Sequence, residues 1–283
     1  MRILVTGATG FIGKNVVEYL CENTANEIFV LTRDLKTVKD IFWCSRVTIL
    51  IGDISVQIPN WFDYLQKPDI VLHLAWSKLP NYTESFHLTE NLPNDIMFLE
   101  NLIVNGLKSL VVAGTCFEYG LQEGELSEDL PTFPSNPYSI AKDALRRYLE
   151  VITCKYNINF KWLRLFYTYG DGQNSNSIIS QLKKAIQNGE SEFRMSGGEQ
   201  LRDYLPVTKV SETICKLTLD FNSQGIFNVC SGNPIKLKDF ILGYLEDNKL
   251  RINLIFGFYP YSSLEPMRFW GNATKINSKN ILL

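Results

Sequence analysis

Short apolar runs alternate with longer amphipathic stretches through the first half of the chain. The runs fall at 3–5, 28–31, 47–51, 70–74 and 110–112, and 160–165 adds a sixth. Each is too short for a helix and is bounded by turn residues, so each predicts a buried strand. The stretches between them carry helical period. In 92–107, for example, Ile96, Leu99, Ile103 and Leu107 form one stripe. Strand and helix in strict alternation predict an α/β fold, a doubly wound parallel sheet with both faces covered.

Periodicity stops at 126–137, where Pro131, Pro134 and Pro137 stand among Ser, Glu and Asp. A helix is expected over 138–155. Beyond Gly170 the pattern changes to short elements punctuated by Gly189, Gly197, Gly198, Gly225 and Gly232. We therefore expect a parallel-sheet domain over 1–165 and a smaller mixed α/β C-terminal lobe over 166–283, with some segments exchanged between them.

Composition narrows the function classes. Lys and Arg number 28 against 30 Asp and Glu, a net charge of −2, which gives no general attraction for nucleic acid or an acidic membrane. The six cysteines form no CxxC or CxxH pair, which argues against a metal site and a disulfide framework. No run approaches the ~18 apolar residues of a membrane span. Met1 leads straight into the first strand with no signal-peptide pattern, so a cytoplasmic protein with reduced thiols is expected.

Candidate chemistry begins at Gly7, Ala8, Thr9, Gly10, Phe11, Ile12 and Gly13, directly after the first strand. Glycines at this strand-to-helix turn allow a tight bend and close approach of a pyrophosphate to backbone amides at a helix N-terminus, so 1–165 is expected to be a dinucleotide-binding Rossmann domain and 166–283 its substrate lobe. The second strand ends Thr32, Arg33, Asp34. Thr32 takes the usual place of the NAD-selecting carboxylate and Arg33 offers a cation for a 2′-phosphate, which favours NADP(H) over NAD(H). Asp34 fills the acidic role instead if the strand runs one residue longer. Asp53, after the third strand, is placed to accept from an adenine amino group or to act as a turn cap. Tyr138 and Lys142 lie four apart, one helical turn and one face, a spacing that lets an ammonium stabilise a phenolate.

Together these residues resemble the extended short-chain dehydrogenase/reductase family, the NAD-dependent epimerases and dehydratases. The markers are GATGFIG at 7–13, GD at 52–53, HLA at 73–75, GTCFEYG at 114–120, YSIAK at 138–142, RLFYTYG at 164–170, QLRDYLPV at 200–207 and NVCSG at 228–232. Similarity is greatest to nucleotide-sugar 4-ketoreductases such as CDP-abequose synthases and dTDP-4-keto-6-deoxyhexose reductases. The resemblance implies Tyr138 as acid/base, Lys142 on the nicotinamide ribose, and Thr115 on the reacting sugar oxygen. It implies Ile54, Leu74 and Ala75 at the cofactor. At the substrate it implies Trp76, Thr115, Cys116, Phe117, Tyr138, Tyr167 and Arg202, with Lys78, Tyr82 and the 260–271 segment near the sugar.

Arg202 resembles a diphosphate clamp, against the alternative of a salt bridge to Asp203 or a neighbour. His73 reads as a core or supporting histidine. Cys116 and Phe117 stand where 4,6-dehydratases carry Asp and Glu, so dehydration is disfavoured. Tyr167 and Lys209 depart from the usual Asn and Asp. The expected function is NAD(P)H-dependent reduction of the 4-keto group of a nucleotide-activated 6-deoxyhexose. The alternatives are a 4-epimerase with tightly held NAD and a cofactor-sensing protein. The partners expected are a nucleotide-diphosphate sugar and a second copy of the chain in a homodimer.

Overall fold

The computed structural model describes residues 1–262, 265–279 and 281. The strands are β1 (Arg2–Thr6), β2 (Glu27–Thr32), β3 (Thr48–Ile51), β4 (Ile70–His73), β5 (Ser109–Thr115), β6 (Gly124–Leu126), β7 (Asn159–Leu165), β8 (Tyr167–Tyr169), β9 (Glu192–Arg194), β10 (Leu201–Arg202), β11 (Tyr204–Pro206), β12 (Gly225–Val229), β13 (Ile235–Lys236), β14 (Asn253–Ile255) and β15 (Arg268–Gly271). The helices are α1 (Phe11–Asn23), α2 (Trp61–Tyr64), α3 (Leu92–Val104), α4 (Pro137–Lys155), α5 (Ile178–Gln187), α6 (Val207–Leu219), α7 (Leu237–Asp247) and α8 (Thr274–Asn277).

Seven strands form one parallel sheet in the order β12-β7-β5-β4-β1-β2-β3. The order reverses between β1 and β4, and that switch point opens a crevice at the strands' carboxyl ends. One face buries Val16, Val17 and Leu20 of α1 against Val210, Ile214 and Leu217 of α6. The other buries Phe98, Leu99 and Leu102 of α3 with Leu145 and Leu149 of α4. The period-3.6 stripes therefore lie where the sequence puts them, facing the sheet.

The boundary near residue 165 is crossed in both directions. β12 and α6 return from the second half to complete the parallel sheet, whereas β6 leaves the first half to join a small mixed sheet, β13-β10-β15-β6. The apolar strand β12 pairs in register with β7, from Gly225 on Lys161 to Val229 on Leu165. The lobe keeps its own core, in which Ile179 and Leu182 of α5 meet Leu237 and Ile241 of α7. Among the described residues no helix is long and apolar enough to cross a membrane.

At the carboxyl end of β5 the chain turns through a short helical segment capped by Thr115, and Glu118 in that turn is fully buried. Glu118 Oε1 accepts from the Thr115 amide at 2.9 Å and from Trp162 Nε1 at 2.8 Å. Its Oε2 accepts from Arg164 Nε at 2.9 Å, with Arg146 Nε of α4 at 3.7 Å. Gly114 makes room for this cluster, because a Cβ there would lie 2.1 Å from Trp162 Nε1. A buried carboxylate with this many donors ties β5, β7 and α4 together, and its removal strands the Arg164 guanidinium, whereas Arg146 keeps Asp143 and Glu150. Glu118→Ala should cost about 3–5 kcal/mol in urea unfolding, a loss expected from breaking a buried ion pair. A loss below about 1 kcal/mol would show that Arg164 finds other partners.

Candidate active site

A cleft of about 1430 Å³ runs along the carboxyl ends of the sheet strands into the lobe. Gly7, Thr9, Gly10, Phe11, Ile12, Gly13, Thr32, Arg33, Asp53, Ile54, Leu74 and Ala75 line one end of it. Trp76, Thr115, Cys116, Phe117, Tyr138, Lys142, Tyr167 and Arg202 line the rest. Residues scattered over two hundred positions thus converge on one surface.

Gly10 N donates to Gly7 O at 3.0 Å and caps α1, which leaves the first-turn amides of α1 facing the cleft. A Cβ on Gly13 would sit 2.1 Å from Gly7 O, so the close packing of loop and helix requires glycine there. This cradle suits a dinucleotide pyrophosphate. At the end of β2 the Thr32 side chain is buried and donates to Asp34 O at 3.2 Å, while Arg33 is exposed on the cleft rim. Asp34 caps the following turn by accepting from Lys36 N at 2.9 Å, which directs its carboxylate to its own loop. Asp53 Oδ1 likewise accepts from Ser55 N and Oγ, at 2.9 and 2.8 Å, although it remains on the cleft wall.

At the middle of the cleft α4 places Tyr138 and Lys142 on one buried face, and Asn136 starts the helix by accepting from Ser139 N. Tyr138 is surrounded by the rings of Trp76, Tyr82 and His87, with centroids at 5.9, 5.3 and 5.3 Å. Burial raises the Tyr138 phenol pKa strongly and the neighbouring Tyr82 phenol adds to it, whereas a hydrogen bond with Thr115 pulls the other way. The phenol is held protonated. Lys142 Nζ donates to Ala113 O at 2.9 Å and stands 3.9 Å above the Trp76 ring. Burial lowers its pKa to about 8, opposed by Asp95 and Glu118.

Beyond Tyr138 the wall is formed by Cys116, Phe117 and Tyr167. Burial pushes the Cys116 thiol pKa well up, so it behaves as a small neutral side chain. Phe117 meets Tyr82 edge-on at 5.4 Å. Arg202 reaches the cleft from β10 and pairs with Glu265, through Nε at 3.2 Å and Nη2 at 3.0 Å to Oε2. Tyr167 donates to the same Oε2 at 2.8 Å. Asp203, the other partner the sequence offers, instead accepts from the amides of Ser231 and Gly232, both at 2.8 Å.

His73 is fully buried behind the cleft, with Nδ1 3.0 Å from Thr6 Oγ1 and Nε2 3.3 Å from Asp95 Oδ2. Sequence reasoning singled out neither the pairing of Glu265 with Arg202 nor the closeness of His87 to Tyr138. Glu265 lies 63 residues from Arg202 and carries no motif. His87 opens a π-helical turn, His87–Asn91, whose sequence spacing predicts nothing about Tyr138.

The family described as NAD dependent epimerase/dehydratase matches residues 3–230. The dTDP-6-deoxy-L-talose 4-dehydrogenase (NAD(+)) of Aggregatibacter actinomycetemcomitans is 31% identical over 96% of this chain and 99% of its own length. The CDP-abequose synthase of Salmonella typhimurium is 25% identical over 88% of this chain and 81% of its own. In structure, the UDP-N-acetylglucosamine 4-epimerase of Methanobrevibacter ruminantium superposes with a TM-score of 0.85 at 21% identity, covering 98% of this chain and 90% of that one, a likeness of fold. The glycine cradle, the Tyr138–Lys142 face and these matches lead to one conclusion: the chain belongs to the NAD-dependent epimerase/dehydratase family, whose named members are nucleotide-sugar oxidoreductases and epimerases.

Proposed function

We propose that the protein is an NAD(P)H-dependent reductase of the 4-keto group of a nucleotide-activated 6-deoxyhexose, serving the synthesis of surface-polysaccharide sugars. The observation that carries this reading is the protonated Tyr138 phenol beside Thr115, enclosed by rings and the neutral Cys116. A ketone reductase needs an acid at the carbonyl oxygen. An enclosure of Trp76, Tyr82, Phe117 and Tyr167 suits a methyl group at sugar C6 better than a hydroxyl or carboxylate, because these faces leave a buried polar group short of partners. The relatives named for 6-deoxytalose and abequose nucleotides support the same substrate class.

A bound nicotinamide dinucleotide supplies the hydride. The amides at Gly10–Gly13 would hold its pyrophosphate, and Lys142, fixed by Ala113 O, would bind the ribose hydroxyls. Thr115 and Tyr138 would hold the sugar oxygen, and Tyr138 Oη would donate its proton to that oxygen as the carbonyl is reduced. Arg202 supplies a bidentate fork for the sugar diphosphate and would exchange its Glu265 partner for phosphate oxygens. The same set would serve a 4-epimerase, which keeps its dinucleotide through purification; reversible binding separates the two.

Arg33 on the rim, with the Asp34 carboxylate turned to its own loop, supports NADPH use, although the talose dehydrogenase relative is named for NAD(+). The exposed apolar side chains Met97 and Val104 on α3, and Ile140 and Val151 on α4, support a homodimer through these helices.

Tyr138→Phe should lower kcat by roughly 10²–10⁴-fold with NADPH affinity nearly unchanged, as removal of a general acid requires. A panel of dTDP-, CDP-, GDP- and UDP-4-keto sugars with no oxidation of NADPH or NADH would overturn the reading. Arg33→Ala should raise the KM for NADPH about tenfold and leave that for NADH within about twofold, the loss of one charged phosphate contact. Equal effects on both would remove Arg33 from cofactor selection. Lys142 is charged below its lowered pKa, so kcat/KM should hold on the acid side and fall as pH rises through about 8. A pH profile flat to pH 10 would contradict a role for that charge.

A further inference from the structure

Lys142 is a cation almost wholly removed from water, at 2% exposure. Among the described residues it forms no ion pair. Its ammonium donates to Ala113 O of β5, lies 3.9 Å from the Trp76 ring centroid, and has Trp162 of β7 further off at 5.8 Å. The charged groups that act on it from the packed elements are Asp95 of α3 and Glu118 of the turn after β5, and both are engaged elsewhere. Asp95 stands 3.3 Å from His73, and Glu118 takes Arg164, Trp162 and the Thr115 amide. His87, from the turn before α3, also faces Lys142, and Tyr138 lies one turn back on α4. Beside the Ala113 carbonyl and the Asp95 and Glu118 carboxylates, the Trp76 face is therefore the group of negative potential that lies directly against this charge.

That face is held in place. Trp76 Nε1 donates to His87 Nδ1 at 3.0 Å, and His87 Nε2 is 2.9 Å from Asn81 O. A carbonyl can only accept, so Nε2 carries the proton and Nδ1 is left as the acceptor for the indole. Asn91, whose Nδ2 lies 3.3 Å from the same Nδ1, donates to Ser77 O at 3.1 Å and ties the loop on the other side. These bonds satisfy the indole N–H and fix the plane of the ring, and Trp76 stands half-buried in the cleft wall, its face on Lys142 and its edge on Tyr138.

We propose that Trp76, clamped by His87, is a positioning residue whose indole face keeps the Lys142 ammonium charged and fixed at the Tyr138 end of the cleft. The catalytic consequence rests on the reading of Lys142 and Tyr138 given above; the electrostatic part does not. Replacing the ring by an aliphatic side chain of similar burial leaves desolvation in place and removes the quadrupole, so the lysine should lose its proton at lower pH.

The test follows the ¹³Cε resonance of Lys142 through a pH titration of the whole protein with ¹³C-labelled lysine, assigned with Lys142→Met. Trp76→Leu should lower the midpoint by about one pH unit, and Trp76→Phe by no more than about 0.3, since a phenyl face keeps most of the attraction. His87→Gln should fall between them. Trp76→Met replaces the leucine variant if a thermal melt shows that variant unfolded. A midpoint in the aliphatic variant within about 0.2 units of wild type, or an equal fall in the phenylalanine variant, overturns the proposal. The alkaline limb of kcat/KM for dTDP-4-keto-6-deoxyglucose with NADPH is then compared. A limb that moves with the resonance supports both readings. A shifted resonance with an unmoved limb upholds the clamp and removes Lys142 from the reaction.

Discussion

The carboxylate of Glu118 is the fixed point of this molecule. It is fully buried, yet every donor around it belongs to an element that shapes the cleft: the Thr115 amide ends β5, Trp162 and Arg164 come from β7, and Arg146 comes from α4. A charge in such a place is tolerated only where several donors replace its hydration, and the donors are then locked by it in turn. Thr115 owes its place to this cluster. Its hydroxyl faces Tyr138 because the turn that follows is closed by Glu118 from below.

The same logic runs in the opposite sense one turn along α4. Tyr138 and Lys142 are both stripped of water, and burial disfavours the charged form of each. The phenol responds by keeping its proton, and the amine is drawn towards losing one, with a pKa of about 8. A pair that the four-residue spacing suggests as phenolate and ammonium is therefore, by burial alone, biased towards two neutral groups. Whatever keeps Lys142 charged sets how far the pair departs from that bias, which gives Asp95, Glu118 and the Trp76 face their weight.

Much of this arrangement was legible in the sequence. Strand and helix periods marked the parallel sheet because each element buries one face, and the loop at Gly7–Gly13 was readable because only glycine fits where Gly13 packs on Gly7 O. Tyr138, Lys142 and Thr115 were found by spacing and resemblance. What escaped depends on distance in space. Glu265 meets Arg202 only after β10 and β15 pair in parallel, and His87 meets Trp76 only through a single π-helical turn that the apolar spacing does not mark. Exchange of segments across the boundary near 165 was expected, but that β12 is the strand returning to the sheet was not, because an apolar strand looks the same whichever sheet receives it.

The arrangement also bears on the direction of the chemistry. A site that removed and returned a proton at carbon would need a base held ionised near the sugar, and the groups lining this end are a protonated phenol, a neutral thiol and aromatic faces. Glu265, a carboxylate at this end, pairs with Arg202 and accepts from Tyr167. Such a wall fits the proposed delivery of a proton to oxygen better than removal of one from carbon. On the reading proposed above, phosphate oxygens would take the place of Glu265 on Arg202, while Glu265 would still accept from the Tyr167 hydroxyl at the wall beside the sugar.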